Sequence, residues 1–219
     1  MPQLASTLFP ELRAYCEGLQ LPEEYGLTER HLTAAHQVKS WIDERLRQDL
    51  PAEVIVVCTG NSRRSILGST LGNVAAAFAG YPTVRFSSGG TAPSAFNRRT
   101  IQTLRELGTQ IEEQDELAPP GASGESNPRY SVRWGAAATS RAIEFSKCYD
   151  DGVNPQQDYC AIMVCTDADE NCPVLPGAAL RVSMPFDDPK EFDGQPSESA
   201  AYAERRDQIG RVMLVLFGL

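Results

Sequence analysis

Val54-Ile55-Val56-Val57 is an unbroken β-branched run that stops at Cys58, the pattern of a buried strand. A tight polar loop follows, and Ile66 to Phe78 reads as a helix of apolar and small residues. Gly80-Tyr81-Pro82 marks a turn, after which Val84-Arg85-Phe86 predicts a short second strand running into Ser87-Ser88-Gly89-Gly90-Thr91. The small residues there suit close approach to a neighbouring loop. Ser94 is a candidate cap for a helix carrying Phe96, Ile101, Leu104 and Leu107, ended by Gly108. Tyr159 to Cys165 repeats the first pattern, a buried strand ending at a cysteine, and Arg181-Val182-Ser183-Met184 reads as a last strand. Ser197 opens a terminal amphipathic helix through Tyr202, Ile209, Val212, Met213, Val215 and Leu216. Strands alternating with helices predict an α/β fold with a parallel sheet and right-handed crossovers.

Two stretches depart from this rhythm. Residues 1–50 carry helical spacing twice, first at Leu8, Leu12, Tyr15, Cys16 and Leu19. The second run is Leu32, Ala35, Val38, Ile42 and Leu46, opened by Thr28-Glu29-Arg30-His31. They predict an N-terminal helical extension ahead of a domain over 51–219. Residues 112–131 are acidic and then rich in Pro, Gly and Ser, which reads as loop or lid material. Phe145 to Asp151 fits strand or loop equally. An insertion at about 113–157 is therefore expected within the domain.

Composition narrows the function classes. Apolar residues make up 42% of the 219, enough for a proper core, and the net charge is −9. That charge argues against nucleic acid or an anionic membrane as partner. No stretch approaches the ~20 apolar residues that span a bilayer. Met1 to Pro10 lacks the basic and apolar regions of a secretory leader, so a cytoplasmic location is expected. There the six cysteines would be reduced, and a disulfide is more often catalytic than structural. His31 and His36 stand five apart, poor spacing for one helix face, and read as surface residues. Cys148, Cys160, Cys165 and Cys172 lack the close pairs that zinc takes. Neither metal nor cofactor is expected.

The candidate chemistry lies at the strand ends, where open α/β sheets bind ligands. Cys58-Thr59-Gly60-Asn61-Ser62-Arg63-Arg64-Ser65 joins a strand to a helix N-terminus. The loop amides of Thr59 to Ser65 and the helix dipole favour an anion, and Arg64 can add a bidentate fork. The same field stabilises a thiolate, so Cys58 is the candidate nucleophile, with Ser65 a donor to its sulfur. Cys165 ends another strand, and Cys172 follows it by seven residues. Asp187-Asp188-Pro189 follows the last strand and supplies a candidate general acid.

These residues resemble the low-molecular-weight protein tyrosine phosphatase superfamily, and more closely its thioredoxin-coupled arsenate reductases. The resemblance rests on Cys58 to Ser65, Ser88-Gly89-Gly90-Thr91, Cys165 to Pro173 and Phe186-Asp187-Asp188-Pro189, and covers about 53–112 and 158–219. It implies a three-layer α/β/α fold with a four-stranded parallel sheet of order 2-1-3-4. It also implies that Cys58 attacks arsenate and Cys165 then attacks Cys58, releasing arsenite. Cys172 would take over the disulfide, a thioredoxin-like protein would reduce it, and Asp188 would be the acid. Two positions depart from the pattern: Arg63 replaces a usual cysteine, and Ser69 replaces a glutamate tied to a potassium site, which is not carried over. The alternatives are a phosphatase hydrolysing phosphoesters through Cys58, Arg64 and Asp188 alone, and an inactive phosphate-binding module.

Overall fold

The apolar run of residues 54–57 is the middle of β1 (Ala52–Cys58), whose residues from Val54 onward are all buried. In the computed structural model, residues 8–20, 26–171 and 174–219 are described. β1 pairs in parallel with β2 (Val84–Gly90) on one side and β6 (Tyr159–Met163) on the other, and β6 pairs with β7 (Ala178–Ser183). The sheet order is β2-β1-β6-β7. Counted among the parallel strands alone, this is the 2-1-3-4 order that the resemblance implies. The fold is a three-layer α/β arrangement with β1 and β6 at its centre, which is why their sequences are apolar without alternation.

α3 (Arg64–Ala79) follows the Cys58 loop and packs on α6 (Glu198–Leu216), while α4 (Arg98–Arg105) also meets α6. α5 (Thr166–Asn171) follows β6, and a short 3-10 turn (Pro189–Phe192) follows β7. The N-terminal helices α1 (Pro10–Leu19) and α2 (Glu29–Arg47) are as the periodicity predicts. Leu12, Cys16, Val38 and Ile42 join the same hydrophobic core as the sheet.

Three local expectations are corrected. The acidic segment is not a loop: β3 (Gln110–Leu117), β4 (Pro128–Arg133) and β5 (Arg141–Glu144) form a second, antiparallel sheet. β4 buries Tyr130 and Val132 in the core, but only Ile111 of β3 is buried, so β3 carries almost no apolar signal. Asn97, not Ser94, caps α4, its side chain accepting the Thr100 N–H. His31 is no surface residue. It is buried, caps α2 by accepting the Thr28 N–H at Nδ1, and stacks on Phe186 at 4.6 Å. With Nδ1 accepting, Nε2 donates to the Pro185 carbonyl at 2.8 Å. The helical extension thereby braces the segment that carries Asp188.

Candidate active site

Four segments meet at the carboxyl edge of β1 and β6. Cys58 ends β1, and the next five residues curl into a cradle before α3. Its carbonyls are taken from outside: Thr91, Ala92, Ser94 and Asn97 donate their N–H groups to the oxygens of Cys58, Thr59, Gly60 and Ser62. The N–H groups of Gly60, Asn61, Ser62 and Arg63 have no acceptor among the described residues. Asn61 makes the curl possible by adopting the left-handed region at φ +40. Gly90 lies so close that a Cβ there would fall 2.6 Å from the Thr59 oxygen, and only glycine fits. A run of unpaired amides at a helix start favours an anion.

The nucleophile candidate has a defined donor. Lys147 N–H donates to Asn61 Oδ1 at 2.9 Å, which turns Asn61 Nδ2 toward Ser65 Oγ at 2.8 Å. Ser65 Oγ therefore accepts from Asn61, and its own hydrogen is left for Cys58 Sγ, 3.1 Å away. Burial pushes Cys16 up to about 12 and raises Cys160 further, while burial with Asp150 and Asp151 nearby raises Cys148. The five described cysteines are all free.

Arg64 and Arg63 have different partners. Arg64 donates to Asp188 Oδ2 at 2.5 Å and to the Phe186 carbonyl at 2.8 Å, and its buried Nε has no partner among the described residues. Asp188 also caps the 3-10 turn, accepting the Lys190 N–H at 3.1 Å. Its neighbour Asp187 points to Arg205 at the surface, its side chain 94% exposed. Arg63 donates to Tyr202 at 2.6 Å and to Asp193 at 2.5 Å, so its guanidinium anchors the loop to α6 rather than joining the cradle. Ser62 Oγ is likewise spent on the Ala95 carbonyl. The charges of Arg63 and Arg64 are thus compensated pair by pair.

Cys165 is brought to the same place by the pairing of β1 with β6. Its buried sulfur lies 3.5 Å from Thr59 Oγ1 and accepts the Ala168 N–H at 3.4 Å. Cys172 lies outside the described residues. A cleft of about 900 Å³ opens beside Ser62 and Arg63, walled by Ser94 to Arg98, by Glu125, Pro128 and Tyr130 of the inserted segment, and by Lys190. Sequence reasoning missed this wall because β3 and β4 are polar on their open faces.

Among the described residues, no cluster of three or more His, Cys, Asp or Glu could hold a metal ion. None of their helices is long and apolar enough to cross a membrane.

No protein-family model and no curated protein matches the chain. Among solved structures, it is similar to an arsenate reductase from Archaeoglobus fulgidus, at 17% identity and a TM-score of 0.45, covering 76% of this chain and 99% of that one. A low-molecular-weight phosphotyrosine phosphatase from Vibrio cholerae O395 matches at 15% identity and 0.44, over 75% of this chain and 93% of its own. A thioredoxin-dependent arsenate reductase from Corynebacterium glutamicum matches at 16% identity and 0.37, over 90% of this chain and 92% of its own.

Proposed function

We propose that this chain is a cysteine-dependent oxyanion enzyme whose reaction is the reduction of arsenate. The observation that carries this reading is the Cys165 thiol, set against Thr59 beside the candidate nucleophile. In this mechanism the unpaired amides of Gly60 to Arg63 and the free Nε of Arg64 hold the oxyanion. The anion competes with Asp188 for Arg64, freeing that carboxyl to serve as proton donor. The Cys58 thiolate bonds to arsenic, and one arsenate oxygen leaves as water with the donated proton. Cys165 then attacks Cys58 sulfur: the S–S bond forms, the S–As bond breaks, and its electron pair stays on arsenic, giving arsenite. Cys172 displaces Cys58 from Cys165, and a dithiol partner of the thioredoxin type reduces the resulting disulfide.

The second reading, hydrolysis of a phosphoester, has its own observation in its favour. A cleft of about 900 Å³ beside the loop exceeds what a tetrahedral oxyanion fills. In hydrolysis water attacks a cysteinyl-phosphate, and neither Cys165 nor Cys172 is needed. Cys165→Ser and Cys172→Ser should therefore each abolish multiple-turnover arsenate reduction while leaving aryl phosphate hydrolysis largely intact. Wild-type protein that consumes no reductant with arsenate, yet hydrolyses aryl phosphate through Cys58, transfers the assignment to the phosphatase.

A further inference from the structure

Beneath the cradle lies a buried ion pair that the proposed reaction does not use. Glu144 and Lys147 are 2% and 5% exposed, and their charged atoms are 3.3 Å apart. Both are fully satisfied. Glu144 accepts from Ser69 of α3 at 3.0 Å and from Ser88 of β2 at 2.7 Å. Lys147 Nζ donates to Glu144 and Ser88 and lies 4.8 Å from the centre of the Phe145 ring. The pair thus ties the inserted segment to the helix and strand that flank the Cys58 loop.

A buried pair is weak as a source of stability, because desolvating two charges offsets their attraction. Its position is more informative. The main chain of Lys147 is held between the cradle and β2, its N–H on Asn61 Oδ1 and its carbonyl on the Gly90 N–H, both at 2.9 Å. That N–H decides which end of the Asn61 amide faces Ser65, and so where the Ser65 hydrogen goes. If the Lys147 peptide shifts or turns, Asn61 loses its fixed orientation and Ser65 is free to donate elsewhere. The side-chain pair gives the same residue a further anchor, on β5, α3 and β2.

We propose that Lys147, through its pair with Glu144, is a positioning residue for the Cys58 nucleophile: it orders the chain from Asn61 to Ser65 that aims a donor at the sulfur. This rests on Cys58 being the nucleophile, not on the choice between reduction and hydrolysis.

The test is the rate at which iodoacetate alkylates Cys58 at neutral pH in the folded protein, resolved by site with mass spectrometry. Lys147→Met should slow it about tenfold, the scale of one hydrogen bond to a charged group, and Lys147→Arg should retain most of the rate. In a Ser65→Ala background Lys147→Met should add almost nothing, because both act on one donor. If Lys147→Met fails to fold, the uncharged pair Glu144→Gln with Lys147→Met reads the same two outcomes. An unchanged rate, or an equal loss in the Ser65→Ala background, overturns the proposal. Wild-type Cys58 reacting no faster than in the urea-unfolded chain would instead remove Cys58 as nucleophile, a separate failure.

Discussion

Asp187 and Asp188 are adjacent in sequence and chemically far apart in the fold. Asp188 is shared between the Arg64 guanidinium and the Lys190 N–H, whereas the exposed Asp187 reaches Arg205 from the solvent side. A general acid contributes about 10²–10⁴-fold to turnover. Asp188→Asn should cost a factor in that range while phosphate, as competitive inhibitor, binds at least as tightly as to wild type, because its competitor for Arg64 is gone. Asp187→Asn should leave turnover near the wild-type value, since a carboxylate this exposed contributes little to its pair. Steady-state kinetics of the two variants check the assignment, and a loss confined to Asp187→Asn would move it by one residue. Arg63 and Arg64 give the same lesson: neighbours in the loop, one tied to α6 and one to the acid-bearing turn.

At the scale of the element, β1 carries one misfit. Glu53 lies in an otherwise apolar central strand, opposite Arg85 of β2. Burial raises its carboxyl above the ordinary value of 4.5, and Arg85 only partly offsets this. A raised carboxyl binds its proton more tightly in the folded state, so its contribution is present below the unfolded value and is lost as pH rises through the folded one. At neutral pH the ionised Glu53 therefore works against folding. Glu53→Gln should raise Tm at neutral pH, and the gain should vanish at pH 4.5 and below. Thermal unfolding of both proteins at the two pH values decides it. An equal gain at both would assign the effect to packing instead of ionisation.

Across the whole molecule, the N-terminal helices share one core with the parallel sheet. Leu12 of α1 is fully buried, and its truncation leaves a cavity. Leu12→Ala should cost about 2–5 kcal/mol. The two tryptophans watch different regions, Trp41 on α2 and Trp134 beyond β4. Single-tryptophan variants followed in denaturant should report the same midpoint and the same shift from Leu12→Ala. A Trp134 transition untouched by the mutation would mean that the helices fold as a separate unit.

By itself the sequence determined what depends on neighbours a few residues apart. The β-branched run before Cys58, the helical spacing of α2 with its Thr28 cap, and the polar curl between strand and helix are local patterns, legible because their physics is local. The cysteine, the arginine six residues on and the Asp-Asp-Pro turn were legible as candidate chemistry for the same reason. The tertiary structure decided everything that depends on distant partners. It buried His31 against Pro185 and Phe186, 154 residues away along the chain for the hydrogen bond. It spent Arg63 on Tyr202 and Asp193, and it turned an acidic segment into β3, whose open faces need no apolar residues. It also placed Lys147 beneath a loop 86 residues earlier. A hydrophobic period reports which face of an element is buried. It carries no information about which polar groups from elsewhere in the chain will satisfy one another there, and in this protein those pairings set the shape of the candidate site.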